Sequence, residues 1–181
     1  MKLDEWNARY RERERMDDEP SRLLVNAVAD IAPGRALDLA CGAGRNAAWL
    51  AGHGWDVVAI DGASEAIRLV REKNPRIDAR VLDLETDRPL PFEDASFDLV
   101  AILYFLRRPL FAEAIRVLRP GGMFVTAIRA RGISPRFCLS LDALLPELDG
   151  LAVLHTSSGE ITEAVARKPI TYAHKDGRID A

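Results

Sequence analysis

Residues 36–44 read Ala-Leu-Asp-Leu-Ala-Cys-Gly-Ala-Gly, and they leave this chain few folds to choose from. A short apolar run carries one acid, Asp38, and breaks into a Gly-x-Gly turn at Gly42 and Gly44. Seventeen residues after Gly44, a second apolar run ends on another acid, Asp61. Strand, glycine turn, helix and a second strand ending in a carboxylate make a nucleotide-binding half-site. The glycines let a ligand approach the backbone closely, and the second carboxylate can grip a ribose diol.

The rest of the chain repeats the alternation. Pro20-Ser21 opens a helix with Leu23, Leu24, Ala27, Val28 and Ile31 on one face, stopped by Pro33-Gly34. Strand one is expected at 36–40, a helix at 45–52, strand two at 55–60, and a helix capped by Ser64 to about residue 72. Strand three follows at 77–82, a polar loop at 83–96, and strand four at 97–103. A helical stripe covers 106–118, and Arg119-Pro120-Gly121-Gly122 breaks it before strand five at 123–128. A helix at 141–148 is interrupted by Pro146. Strands at 151–156 and 161–166, joined by Ser157-Ser158-Gly159, read as a terminal hairpin. The expectation is a single α/β domain over 20–173, with helices on both faces of a mostly parallel, seven-stranded sheet. Residues 1–19 are charge-rich, broken only by Trp6, Tyr10 and Met16. They form either a solvated leader or a flap whose aromatics fold over a pocket, and residues 174–181 form a frayed tail.

Composition narrows the function. The net charge of −3 over 181 residues argues against general affinity for nucleic acid or an anionic membrane. No apolar run approaches the ~20 residues of a membrane span. Residues 1–6 have no apolar core of a signal peptide. Cys41 lies inside the glycine turn, far from Cys138, so no structural disulfide is expected and a cytoplasmic, reducing compartment fits. His53, His155 and His174 are isolated, and no metal cluster or catalytic triad stands out.

The glycine turn alone does not name its ligand. Gly42-Ala43-Gly44-Arg45-Asn46-Ala47 satisfies the dinucleotide fingerprint, which keeps an NAD-dependent oxidoreductase open. Asp38, four residues before Gly42, would repel a pyrophosphate on that turn and suits an amino group or a sulfonium instead. Asp83-Leu84-Glu85 closes strand three at the same sheet edge, where an acceptor can take the adenine amine. The terminal hairpin completes a seven-stranded sheet that a plain dinucleotide fold lacks.

Five motifs in order carry a resemblance: residues 38–44, Asp61, Asp83-Leu84, Leu90-Pro91-Phe92 with Ser96-Phe97-Asp98, and Leu118-Arg119-Pro120-Gly121-Gly122. Over residues 20–168 they resemble the class I S-adenosylmethionine-dependent methyltransferases, with Ala40 where the family has its first motif glycine. Trp6-Asn7-Ala8-Arg9-Tyr10 and Gly44-Arg45-Asn46 resemble segments of the small tellurite-resistance-like group. The resemblance implies a Rossmann-like class I methyltransferase fold and S-adenosylmethionine as cofactor. It implies that Gly42 and Gly44 pass close to the methionine part, with Ala40, Asn46, Gly62 and Tyr104 around the cofactor. Asp38 would support the turn or the amino group, Asp61 would hold the ribose, and Asp83 with the Leu84 amide would bind adenine.

Methyl transfer from a sulfonium needs alignment and desolvation, and a base only for a protonated acceptor. Tyr104 and His155 are the catalytic candidates, since each follows or ends a strand near the expected site edge. Trp6 and Tyr10 could cover the acceptor, while Arg107, Arg129 and Arg131, with neighbours Arg108 and Arg136, suit a small anionic one. Each arginine also reads as ordinary surface charge, and each strand-end acid as a helix cap. A catalytically inactive S-adenosylmethionine-binding module would show the same binding residues.

Overall fold

The computed structural model describes residues 3–12, 18–132 and 137–170, and the backbone of 172–173 and 179–180. The expectations for Met16, Arg136 and His174 fall outside these residues. Apolar runs with β-branched residues become strands β1 (Arg35–Leu39), β2 (Asp56–Asp61), β3 (Asp78–Val81), β4 (Phe97–Leu103), β5 (Leu118–Arg129), β6 (Ala152–Ser158) and β7 (Ile161–Arg167). Between them lie helices α3 (Arg45–Gly52), α4 (Ser64–Lys73), α5 (Arg108–Val117) and α6 (Leu141–Leu144), preceded by α1 (Leu3–Glu12) and α2 (Arg22–Val28).

The sheet order is β3-β2-β1-β4-β5-β7-β6. Neighbouring strands from β3 to β5 pair in parallel, and β7 runs antiparallel between β5 and β6. The chain therefore reverses direction across the sheet between β1 and β4, the position where such folds bind ligands beyond the strand carboxyl ends. Adjacent residues of each central strand enter opposite cores. Ala36, Val57, Leu99 and Val125 pack with Leu24, Leu50, Ile67 and Val70 beneath α2, α3 and α4. Leu37, Val58, Val100 and Phe124 pack with Leu110, Phe111 and Leu144 beneath α5 and α6. Both faces are covered, which is why these strands read as continuous apolar runs.

Several details differ from the sequence reading, some of them because a distant segment supplies a partner. Arg119-Pro120-Gly121-Gly122 does not separate helix from strand: β5 already pairs at Leu118 with Phe97, then shifts register to Met123 opposite Leu99. The bulged residues are held from β7's end, where the Gly121 N–H donates to the Lys168 carbonyl at 2.7 Å and the Lys168 N–H to the Gly122 carbonyl at 2.9 Å. Ser64 is not the cap of α4 but its first residue, and its hydroxyl donates to Asn7 Oδ1 of α1 at 3.3 Å. Pro146 does not merely interrupt a helix; α6 passes into a 3-10 turn at Leu145–Leu148. In the tail, Ile179–Asp180 pairs with Tyr172–Ala173 as a two-stranded ribbon rather than fraying.

Candidate active site

The residues predicted to bind a nucleoside converge on the carboxyl edge of β1, β2, β3 and β4. β1 ends in a turn whose first residue, Ala40, has a φ of +56°, followed by Gly42 at +55° and Gly44 at +78°. An alanine in the left-handed region costs roughly 1 kcal/mol or more relative to glycine. Tyr104, directly after β4, has a φ of +61° and is held there by its N–H donating to the Ala127 carbonyl at 2.6 Å. Two strained non-glycine residues thus flank the crossover point between β1 and β4. Strain of this kind concentrates at functional sites.

The two glycines of the turn do different work. A Cβ on Gly44 would lie 2.7 Å from a Val70 methyl, so this glycine lets α3 and α4 close together. A Cβ on Gly42 would lie 2.9 Å from the Tyr10 hydroxyl, and one on Gly62 would lie 2.7 Å from a Leu3 methyl. Gly42 and Gly62 are the positions open to close approach, and α1 lies over both.

Asp38 sits on the face of β1 beneath α3 and is 1% exposed. The Ala47 N–H in the first turn of α3 favours the ionised carboxyl, while Oδ2 is buried without a partner. Burial, then the nearby Asp61 charge, raises the carboxyl to about 7. Asp61 Oδ2 accepts from the Gly42 N–H at 2.9 Å and Oδ1 from the Ala63 N–H at 2.8 Å. Burial raises Asp61 as well, with those backbone donors opposing it. Each Asp61 oxygen keeps a lone pair for a ligand hydroxyl. The Leu82 N–H donates to the Asp61 carbonyl at 3.0 Å, which carries the β3 end and Asp83 to the same edge. Asp83 is exposed, and its Oδ1 accepts from the Glu85 N–H at 2.9 Å, while Leu84 buries its side chain in the core. Cys41 is buried, and burial followed by the Asp38 and Asp61 charges pushes its thiol up, the opposite of a reactive thiolate.

Other expectations are redistributed. Asn46 is buried and its Oδ1 accepts from the Ser21 N–H at 2.8 Å, fixing the start of α2. Arg107 and Arg108 are engaged by Asp87 and Glu147 at 2.5 and 2.6 Å. Arg129 and Arg131 are exposed at the end of β5. His155 is displaced from the site: it lies on β6, the sheet's edge strand, exposed, at the level of Val165, Val125, Ala101 and Asp38 across the sheet. Four strand spacings of ~4.8 Å put it roughly 19 Å from Asp38. Sequence shows a strand end but not which strand becomes the edge. Reasoning from sequence also missed Asn7, the Ala40 and Tyr104 backbone strain, and Arg45, whose guanidinium lies 5.7 Å from the Tyr104 ring centroid. The Trp6–Tyr10 spacing of four was the legible signal that α1 has an active face.

Comparison with known proteins agrees with this geometry. The methyltransferase domain family matches residues 37–126, which run from within β1 into β5 and include Asp38, Asp61 and Asp83. The chain belongs to the class I S-adenosylmethionine-dependent methyltransferases. A demethylmenaquinone methyltransferase of Renibacterium salmoninarum is 38% identical over 111 residues, covering 59% of this chain and 46% of that protein. A ribosomal RNA small subunit methyltransferase C of Alcanivorax borkumensis is 32% identical, over 59% of this chain and 36% of its own length. A TehB-like S-adenosylmethionine-dependent methyltransferase of Corynebacterium glutamicum shares the fold, with a TM-score of 0.67, 22% identity, and 91% and 95% of the two chains covered. The chain spans about half the length of the curated relatives it matches. Its site suits S-adenosylmethionine: the unpartnered Asp38 oxygen calls for a donor, the Asp61 oxygens retain acceptor capacity, and Gly42 and Gly62 open the backbone beside them.

Proposed function

We propose that this chain transfers a methyl group from S-adenosylmethionine to a small-molecule acceptor. The observation that carries the reading is Asp38 at the first turn of α3. In a dinucleotide fold the equivalent helix N-terminus is the seat of a pyrophosphate. Here a buried carboxylate already lies beside that turn, and a second anion would meet it at close range in a low-dielectric site. The same carboxylate favours a cationic ligand end. This supports the methyl donor over NAD.

When bound, the cofactor supplies an activated methyl group on its sulfonium. The residues of the chain hold and align it. Asp61 accepts from the ribose hydroxyls, Asp83 and the Leu84 amide take the adenine, and Asp38 balances the positive end. Trp6 and Tyr10 exclude water above the turn, and Tyr104 borders the acceptor from the end of β4. No base is required for an acceptor that arrives deprotonated. Arg129 and Arg131 support a preference for a small anionic acceptor, because the neighbouring Arg107 and Arg108 are already neutralised by acids. The menaquinone-type relative also names a small-molecule acceptor, and the acidic net charge favours that class over RNA.

Titration calorimetry with S-adenosylmethionine, S-adenosylhomocysteine and NADH tests the cofactor. Saturable binding of the first two and none of NADH is expected; NADH binding alone would sink the reading. Turnover on a panel of quinols, small carboxylates, selenite and tellurite separates an enzyme from an inactive binding module. Replacing Arg129 and Arg131 with Gln should raise the acceptor KM at least several-fold, and an unchanged KM would remove the anionic preference.

A further inference from the structure

Helix α1 is docked in an unusual way. None of its residues is buried, so it contributes nothing to either core. Leu3, Asn7, Tyr10 and Arg11 recur at i, i+4, i+7 and i+8 and share one face. Leu3 rests on Gly62 and Tyr10 on Gly42, the two positions where the backbone is open to a ligand. Between them, Asn7 Oδ1 accepts from the Glu65 N–H at 3.0 Å and from the Ser64 hydroxyl at 3.3 Å. The position that should cap α4 is Ala63, which has no polar side chain. Asn7 therefore performs the capping of α4 from another helix. Arg11 adds an exposed ion pair with Glu65 at 3.2 Å, of the kind that contributes little in water.

We propose that Asn7 is a positioning residue that latches α1 over the cofactor groove by capping α4, so that cofactor and product exchange only when this latch opens. The inference rests on the groove being the cofactor site. The docked helix fills the approach to Gly42 and Gly62, and a directional hold on it is made through one replaceable amide. A cap restores its helix wherever it comes from, and its loss costs about fivefold in the docking equilibrium. Because α1 adds no fully buried residue to either core, that loss opens the groove without unfolding the domain.

The test compares wild type, Asn7→Ala and Asn7→Asp, since a carboxylate caps a helix as well as an amide does. Three measurements are made: S-adenosylhomocysteine dissociation by stopped flow, amide hydrogen exchange of residues 3–12 without ligand, and the melting temperature. Asn7→Ala is expected to speed dissociation about fivefold and to lose α1 protection, with the melting temperature lowered by no more than about 2–4 °C. Asn7→Asp is expected to behave as wild type. Unchanged dissociation and unchanged α1 protection in Asn7→Ala would overturn the latch. So would a lowered melting temperature shared by both variants, which would mark a structural role. Should wild type bind no S-adenosylhomocysteine, the cofactor reading falls separately, and the exchange comparison still decides whether Asn7 holds α1.

Discussion

Burial and the neighbouring Asp61 charge hold the Asp38 carboxyl at about 7, against an unfolded value near 3.9. Between those values the folded chain carries a proton that the unfolded chain has lost. Stability contributed by this group therefore falls as pH rises from about 4 to about 7 and is constant above. Asn cannot ionise, so Asp38→Asn should stabilise the ligand-free protein at pH 8 by up to roughly 4 kcal/mol, the equivalent of about three pH units. At pH 4 the two should melt alike, and thermal melts across that range check it. The same substitution should weaken S-adenosylmethionine binding. In wild type, affinity should rise close to tenfold per pH unit up to about pH 7 and then level off, measured by calorimetry, because the cationic ligand selects the ionised form. Residues 36–44 made Asp38 legible from sequence, but its orphan oxygen and its contact with Ala47 depend on where α3 lands. Gly44 shows the converse: the motif suggested ligand approach, and the tertiary neighbour Val70 gives it a packing role.

At the scale of elements, the long segment between β3 and β4 has no secondary structure of its own and is held largely by Arg116 and Glu113 of α5. Arg116 donates to the carbonyls of Leu90 and Phe92 at 3.0 and 2.9 Å and to the carboxylates of Asp94 and Glu113 at 2.7 and 2.8 Å. The Leu90 N–H donates back to Glu113 at 2.7 Å. Arg116 is partly exposed, so the screened ion pairs count for less than the two carbonyl contacts. Arg116→Ala should cost about 1–2 kcal/mol in urea unfolding, and Arg116→Lys should recover little of it, because an ammonium cannot reproduce the planar fork. Strand and helix existence was legible in the periodicity of these residues. The β5 bulge, the capping of α4 by Asn7 and the anchoring of this loop were not, since each joins segments dozens of positions apart.

The whole sheet decides which residues can meet. His155 ends an apolar run and looks like a site residue in sequence, yet the strand order exiles it to the edge. His155→Ala should leave kcat and KM within twofold of wild type, and a larger loss in a steady-state assay would contradict the topology. By itself, the sequence determined the strand–turn–helix alternation, the glycine turn and the acids at successive strand ends, because hydrophobic period and turn chemistry are local properties. Only the tertiary structure decided that Asp38 faces α3 with an unpartnered oxygen, that Gly44 packs against Val70 of α4, and that α1 lies across Gly42 and Gly62. Those facts arise from the order in which strands pair and from helices packing on both faces, and pairing between distant segments leaves no period in the chain.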